Sequence, residues 1–297
     1  MRKSRVYMVG ISLLAFSLLL TFIGVGGALF NEGPIKKLKK YGIEIPEDAT
    51  LTVDKIIYDR TRGRDVRFIE YKVPSPDERS ITIKLDTSTD ELLFYSDGPR
   101  MEKQVRISVE EAKEKALEFI KRVTDLPKEL KLTKAELLHQ KLGLLPGGGV
   151  LYDYWEYWFE WSRLINGIEV KNEYIRVIVA PSSGDVIAYV KHWTGEQPRN
   201  TEVKISKEQA VELGREYLIE RRRALIEAIL KAEYSELVVK RFSSAAVEWG
   251  YAPEGLWLCW EVKFTYTELP EGLEFLKWSI VYVQATTGEV LFVNEPK

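Results

Sequence analysis

One layout of residues occurs twice in this chain and a third time in a weaker form. Residues 174–193 read YIRVIVAPSSGDVIAYVKHW and residues 278–294 read WSIVYVQATTGEVLFVN, so each has a polar turn between two runs rich in β-branched and aromatic residues. Gly184 and Gly288 stand at the same place in the two turns, and glycine readily adopts the positive φ of a tight hairpin. The weaker copy has Asp90 at that place. The pattern predicts three hairpins and an internal repeat.

The repeat extends towards the N-terminus of each full copy. Ser108 is followed three residues later by Glu111, and Ser206 is followed in the same way by Gln209, with an isoleucine before each serine. A serine with an acid or amide at this spacing is a capping box, which marks the start of a helix. We expect a helix after each cap, the second running from residue 207 to about residue 232.

An aromatic strand lies between the helix and the hairpin of each full copy. Residues 155–161 read WEYWFEW and residues 260–266 read WEVKFTY, so every second residue of these segments is apolar. Alternation with a period of two indicates a strand with one buried face. The repeating unit is therefore a helix, strands including the aromatic one, and a closing hairpin, over about 100 residues.

This order of elements resembles the PepSY domain of peptidase propeptides and membrane-anchored cell-envelope proteins. The closing hairpin has the form V-x-V-x-x-x-T/S-G-D/E-V-I/L, and residues 163–170, RLINGIEV, are similar to the R-x-x-N-G-I-x-V stretch of related propeptide-like repeats. The resemblance covers residues 105–193 and 203–294, with a half-copy over residues 51–96. The second full copy has ELPEG at 268–272 in place of the Asn-Gly-Ile step, and the half-copy lacks the helix and the glycine.

The resemblance implies an α+β fold class. We expect an N-terminal transmembrane helix followed by tandem PepSY-like units, each with one helix packed on an antiparallel sheet. The expected segments are a signal anchor at 1–30, a juxtamembrane tether at 31–50, a strand-only half-repeat at 51–104, and PepSY-like units at 105–200 and 201–297.

The N-terminal segment supports the expected anchor. Residues 6–30 form a run of 25 residues without a charge, and Arg2, Lys3 and Arg5 precede it. About 20 apolar residues cross a bilayer, whereas the apolar part of a cleaved signal peptide is shorter, so an uncleaved single-pass anchor is favoured. The alternative is cleavage after the small residues at 26–28. The expected location is the cell membrane, with the C-terminal part outside the cytoplasm.

The sequence offers little for catalysis or for binding of a cofactor. The chain has two histidines, neither in a paired metal-binding spacing, and a single cysteine, Cys259, between apolar neighbours in a predicted strand. The glycine-rich loop at 143–149 is followed by neither the lysine nor the helix of a phosphate-binding loop. The net charge of −2 and the scattered basic residues do not suggest nucleic acid as a partner. We therefore predict no catalytic residue, metal or cofactor.

One candidate binding surface stands out in the first aromatic strand. Trp158 alternates out of phase with the inward-facing aromatic residues and shares the other face of its strand with Glu156 and Glu160. An exposed aromatic among carboxylates is typical of a peptide-binding surface, whereas the simpler interpretation places every tryptophan in a core.

Three functions remain open at this point. We expect a non-catalytic, extracytoplasmic binding or regulatory protein, and the PepSY resemblance implies association with cell-envelope peptidases and their inhibition. The alternatives are an envelope scaffold with no link to peptidases and an enzyme that uses acidic residues.

Overall fold

The computed structural model describes residues 38–59, 62–74, 78–98, 100, 102–125, 129–144, 150–193, 195–221, 229–242, 244–248, 250–267, 269 and 277–296. The strands in this part of the chain are β1 Thr50–Asp59, β2 Arg64–Val73, β3 Arg79–Asp86, β4 Leu92–Asp97, β5 Leu130–Leu144, β6 Val150–Ile165, β7 Ile168–Val179, β8 Val186–His192, β9 Ile229–Arg241, β10 Leu256–Thr267, β11 Trp278–Gln284 and β12 Val290–Asn294. The helices are α1 Val109–Val123, α2 Lys207–Arg221 and the short α3 Ser244–Glu248.

The strands form three four-stranded antiparallel meanders, namely β1 to β4, β5 to β8 and β9 to β12. The first two are joined because β4 pairs with β8, and the last two because β7 pairs in parallel with β9. All twelve strands thus belong to one mixed sheet. The predicted α+β fold class with separate helix-on-sheet units is therefore wrong. The joining is made by backbone hydrogen bonds between strand edges, and these leave no pattern in the side chains.

The predicted signal anchor, residues 1–30, lies outside the described residues. Among the residues that are described, no helix is long and apolar enough to cross a membrane.

The turn that closes each meander has the same backbone conformation in all three. Gly184 and Gly288 have φ angles of 79° and 80°, and Asp90 has a φ of 55°. In each turn the amide of this residue donates to the carbonyl four residues earlier, at 2.9 Å for Gly184 and Gly288 and 2.8 Å for Asp90. The three hairpins can therefore be aligned residue by residue on this position.

The start of each long helix is fixed to the closing turn of its own unit. Ser108 and Glu111 form the predicted capping box, and so do Ser206 and Gln209. The amides of the two residues before each cap serine donate to one turn carbonyl, that of Pro181 in the first full unit and that of Ala285 in the second. The helix, its cap and the hairpin thus form one local structure in both units. Contrary to expectation, α2 ends at Arg221 in the described part, and β9 has begun by Ile229.

The first meander shares its core with α1. Ile83, Leu92 and Tyr95 belong to the same buried cluster as Phe119 and Ile120 of the helix. Two arginines, each held by an aspartate of the first meander, connect the turn between β1 and β2 to the end of β8 by hydrogen bonds to its carbonyls. The turn residue Arg62 donates to Asp59 Oδ2 at 2.6 Å and to the Lys191 carbonyl at 2.9 Å. Arg64 in turn bridges Asp86 Oδ2, at 2.5 Å, and the Trp193 carbonyl, at 3.0 Å.

The contact between the second and third meanders is much smaller. Beyond the end of β8, β7 pairs with β9 through two residue pairs, Val170 with Val239 and Lys171 with Lys240. A small apolar cluster surrounds this joint, and Lys171 Nζ lies 2.9 Å from Glu236 Oε1. The core between α2 and β10 to β12 is a separate cluster.

Candidate functional site

The outer face, defined as the side of the β1 to β8 sheet opposite α1, presents two neighbouring rows of side chains that cross the strands. None of the described helices packs against these rows, because α1 lies on the inner face and α2 and α3 pack on the third meander. The register of the strands places Lys134, Glu160, Arg176, Val190, Phe94, Lys84 and Phe68 in one row and Glu136, Trp158, Ile178, Ala188, Ser96, Thr82 and Glu70 in the next.

A hydrogen bond to the buried Glu156 fixes the orientation of Trp158 on the outer face. Its indole Nε1 donates to Glu156 Oε1 at 2.6 Å, and Gln140 Nε2 donates to the same oxygen at 2.9 Å. Glu156 is only 6% exposed, and this burial raises the pKa of its carboxyl group even though the two hydrogen bonds act in the opposite direction. The ring also packs beside Ile178. The indole therefore has a fixed orientation with part of its surface open to solvent.

Two cations flank the indole. Lys134 Nζ and Arg176 Cζ each lie 4.9 Å from the centroid of the Trp158 ring, within cation–π range. Arg176 is itself oriented by Glu160, whose Oε2 accepts from Nε at 2.9 Å and from Nη2 at 2.6 Å. The arrangement is an oriented aromatic ring with one cation from each neighbouring strand, and each cation is itself paired with a carboxylate, Arg176 with Glu160 and Lys134 with Glu136.

The three residues singled out in the sequence thus lie in one connected group. Trp158 and Glu160 are partly exposed, whereas Glu156 is buried and can influence a partner only through the indole it holds. Sequence reasoning missed Lys134, Arg176 and Gln140 as members of the group. They stand at alternating positions of β5 and β7, but only the pairing register of these strands brings them next to β6.

The third meander repeats the buried carboxylate but not the aromatic surface. Aligning the two aromatic strands places Glu261 at the position of Glu156 and Lys263 at that of Trp158. Glu261 is 8% exposed and accepts a hydrogen bond from the Tyr234 hydroxyl at 3.1 Å. On this side of the third meander, residues of α3 pack over Cys259 of β10 in an apolar cluster. The ring between two cations therefore belongs to the second meander alone.

The histidines and the cysteine in the described ranges take part in local contacts or are buried. No group of three or more His, Cys, Asp or Glu side chains in them could hold a metal ion. His139 is stacked on Trp155 with 4.0 Å between ring centroids, and His192 interacts with the Asn172 carbonyl, so the two imidazoles serve different local contacts. Cys259 is fully buried, and its burial raises the pKa of the thiol. A buried thiol of raised pKa is a poor nucleophile.

Comparison with known families places the chain in one of them. The model of the family described as the YcdB, YcdC repeated domain matches residues 36–193, more than half of the chain. The chain belongs to this family. The segment that matches the YcdB, YcdC repeated domain contains the first two meanders, α1 and the outer-face group around Trp158, and it supports the PepSY-like repeat predicted from the sequence.

Two further comparisons add less. Among solved structures, the Bacillus megaterium YpeB C-terminal domain aligns with 90% of this chain and 97% of its own length, at 14% sequence identity and a TM-score of 0.46. No curated protein matches the chain.

Proposed function

We propose that this member of the YcdB, YcdC repeated-domain family is a non-catalytic binding protein that contacts a protein partner through the outer face around Trp158. The observation that carries the proposal is the indole fixed by the buried Glu156 and placed between Lys134 and Arg176. Tryptophan and arginine are the residues that contribute most to protein–protein contacts.

The geometry favours binding because the side chains that would contact a partner already have fixed orientations in the free protein. The hydrogen bond to Glu156 fixes the indole, and the two hydrogen bonds to Glu160 fix the Arg176 guanidinium. Ordering of flexible side chains weakens many interfaces, and here that ordering already exists in the free protein. The exposed part of the indole favours a partner with an apolar side chain at this point, since Lys134 and Arg176 are already paired with Glu136 and Glu160.

A cell-envelope peptidase is the first partner to test. The support for this part of the proposal is the PepSY-like character of the repeat, since the domains it resembles occur in peptidase propeptides, which act by binding. A location outside the cytoplasm belongs to the same proposal, and protease treatment of intact cells would test it.

The binding experiment uses Lys134→Ala with Lys121→Ala as its matched control. Lys134 lies on the outer face beside the indole, whereas Lys121 is an exposed lysine on α1, on the opposite side of the sheet. Trp158→Ala is a poorer first variant, because it also removes a hydrogen-bond donor from the buried Glu156. Binding of each purified chain to a purified envelope peptidase of the same organism is measured by surface plasmon resonance, together with the rate of casein cleavage.

We expect Lys134→Ala to raise the Kd about two- to five-fold, the effect of losing one exposed charged contact with the partner worth about 0.5–1 kcal/mol, and Lys121→Ala to leave the Kd unchanged. Equal effects of the two variants would show that the outer face is not the contact. Casein cleavage by the chain on its own would refute the non-catalytic part of the proposal.

A further inference from the structure

The pairing of β4 with β8 joins two equivalent strands of the internal repeat. When the three closing turns are aligned on Asp90, Gly184 and Gly288, Tyr95 of β4 and Tyr189 of β8 occupy the same position of their hairpins. These two tyrosines are directly opposite each other in the sheet. Equivalent residues of the repeat therefore pair with each other at the centre of the contact.

The residues on either side obey the same rule. Phe94 is opposite Val190, and Ser96 is opposite Ala188, so the residue before the centre of one strand faces the residue after the centre of the other. This is the register of an antiparallel pair related by a local two-fold axis. On the inner face, Phe119 of α1 lies over the contact, with its ring centroid 6.4 Å from that of Tyr95 and 5.6 Å from that of Tyr189.

β12 is the third closing strand, and within the described residues it pairs with β11 alone. The alignment on the turns places Val293 at the central position that Tyr95 and Tyr189 occupy in the other two strands. Tyr217 stands eleven residues after its helix cap, as Phe119 does. Phe119 is only 2% exposed, whereas Tyr217 is partly exposed. The third unit thus has the strand and the helical aromatic residue of the contact, but in the described part of the chain no second strand pairs with β12.

We propose that two copies of this chain pair through β12, antiparallel, about a two-fold axis at Val293. A second copy is the fitting occupant because it supplies another closing strand in the register that β4 and β8 already use. The strand itself suits such pairing, since Val290–Asn294 carries no charge. The other free edges in the described sheet are less suited, because charged side chains, lysine above all, discourage edge pairing. β1 carries Asp54 and Lys55, β5 carries several lysines, and the part of β9 beyond its two pairs with β7 carries Lys231 and Glu233. Pro296, two residues beyond the strand, has no amide to donate, so the contact is short and association depends on concentration.

Cysteine cross-linking tests the register directly. In the proposed dimer the two copies of residue 293 face each other across the axis, with Cα atoms about 4.5–5.5 Å apart, which a disulfide can span. Asn294 faces Phe292 of the other copy instead, so two cysteines at 294 are too far apart to bond. Val293→Cys and Asn294→Cys are compared in the full chain, kept in solution with a mild detergent and exposed to a mild oxidant. The native Cys259 is fully buried and stays out of the reaction.

We expect Val293→Cys to form a disulfide-linked dimer at least ten times faster than Asn294→Cys. The comparison is stringent because Asn294 is the more exposed residue, so random collisions would favour the control. Equal or faster cross-linking of Asn294→Cys would overturn the proposal. Sedimentation equilibrium of the unmodified chain provides the second measurement, with Asn294→Pro as the variant that blocks the edge. A wild-type chain that stays monomeric at every concentration, or an Asn294→Pro chain that dimerises as well as wild type, would also overturn it.

Discussion

Replacement of Asp86 by asparagine is expected to destabilise the protein in a way that depends on pH. One carboxylate oxygen of Asp86 accepts from the Ser88 hydroxyl at 2.5 Å and from the amides of Ser88 and Thr89 at 2.8 and 3.0 Å, and the other accepts from Arg64 at 2.5 Å. Burial by itself would raise the pKa of this carboxyl group. The hydrogen bonds outweigh it and lower the pKa from 3.8 to about 2.

The lowered pKa can be converted into a free energy of unfolding. One pKa unit is worth about 1.4 kcal/mol, so the charge of Asp86 contributes about 2 kcal/mol at pH 7. Because the pKa is lower in the folded state, this contribution is fully present above the unfolded pKa near 4 and is lost as the pH falls towards 2. At pH 3 about half of it remains.

Urea unfolding followed by tryptophan fluorescence, at several pH values from 7 to 3, measures this effect. Asp86→Asn is expected to unfold with about 2 kcal/mol less free energy than wild type at pH 7, and the difference should halve by pH 3. Asp65→Asn removes an exposed carboxylate of β2 and serves as the control for the change in net charge. If the free energies of unfolding of wild type and Asp86→Asn differ by the same amount at pH 3 and pH 7, the stability cannot be assigned to the charge of Asp86.

Three further outcomes are expected. Gly184→Val and Gly288→Val should each lose about 1–3 kcal/mol of unfolding free energy in urea, since both glycines have positive φ, and the loss should be greater at Gly288, where an added Cβ would lie 2.9 Å from Leu213 Cδ1. Arg163→Ala should cost about 3–5 kcal/mol in the same assay, because it removes the cation 2.7 Å from a carboxylate, that of Glu173, which is 2% exposed. Cys259 should react with a thiol reagent only after unfolding, which the time course of labelling in increasing urea would show.

Local structure could be predicted from this sequence because local rules determine it. The capping boxes at Ser108 and Ser206 and the alternation of the aromatic strands each depend on residues a few positions apart, and the structure has both. The predicted end of α2, near residue 232, was wrong because a contact with a distant strand overrides the local preference there. The residues around 229–232 suit a helix by composition, but pairing with β10 places them in a strand.

What could not be predicted depends on contacts between distant parts of the chain. The sequence showed Asp90 in place of a glycine, but it did not show that Asp86, four residues earlier, holds the same turn with its side chain. Trp158 was noticed for its phase in the strand, whereas the cations beside it come from β5 and β7. The merging of the three meanders into one sheet could not be predicted either, since any strand edge can pair with any other.

The small joint between β7 and β9 has a consequence for how the molecule unfolds. The first two meanders share one core, and they are also joined by the ion pair of Lys191 with Glu91 and by the hydrogen bonds of Arg62 and Arg64 to the end of β8. We therefore expect them to unfold together. The third meander has its own core and meets the others through two residue pairs and one small cluster. Cooperativity between parts of a protein follows the strength of the contact between them. We therefore expect the described part of the chain to unfold as two cooperative units, so that heat, denaturant or a pulling force melts the third meander while the structure up to about residue 193 persists.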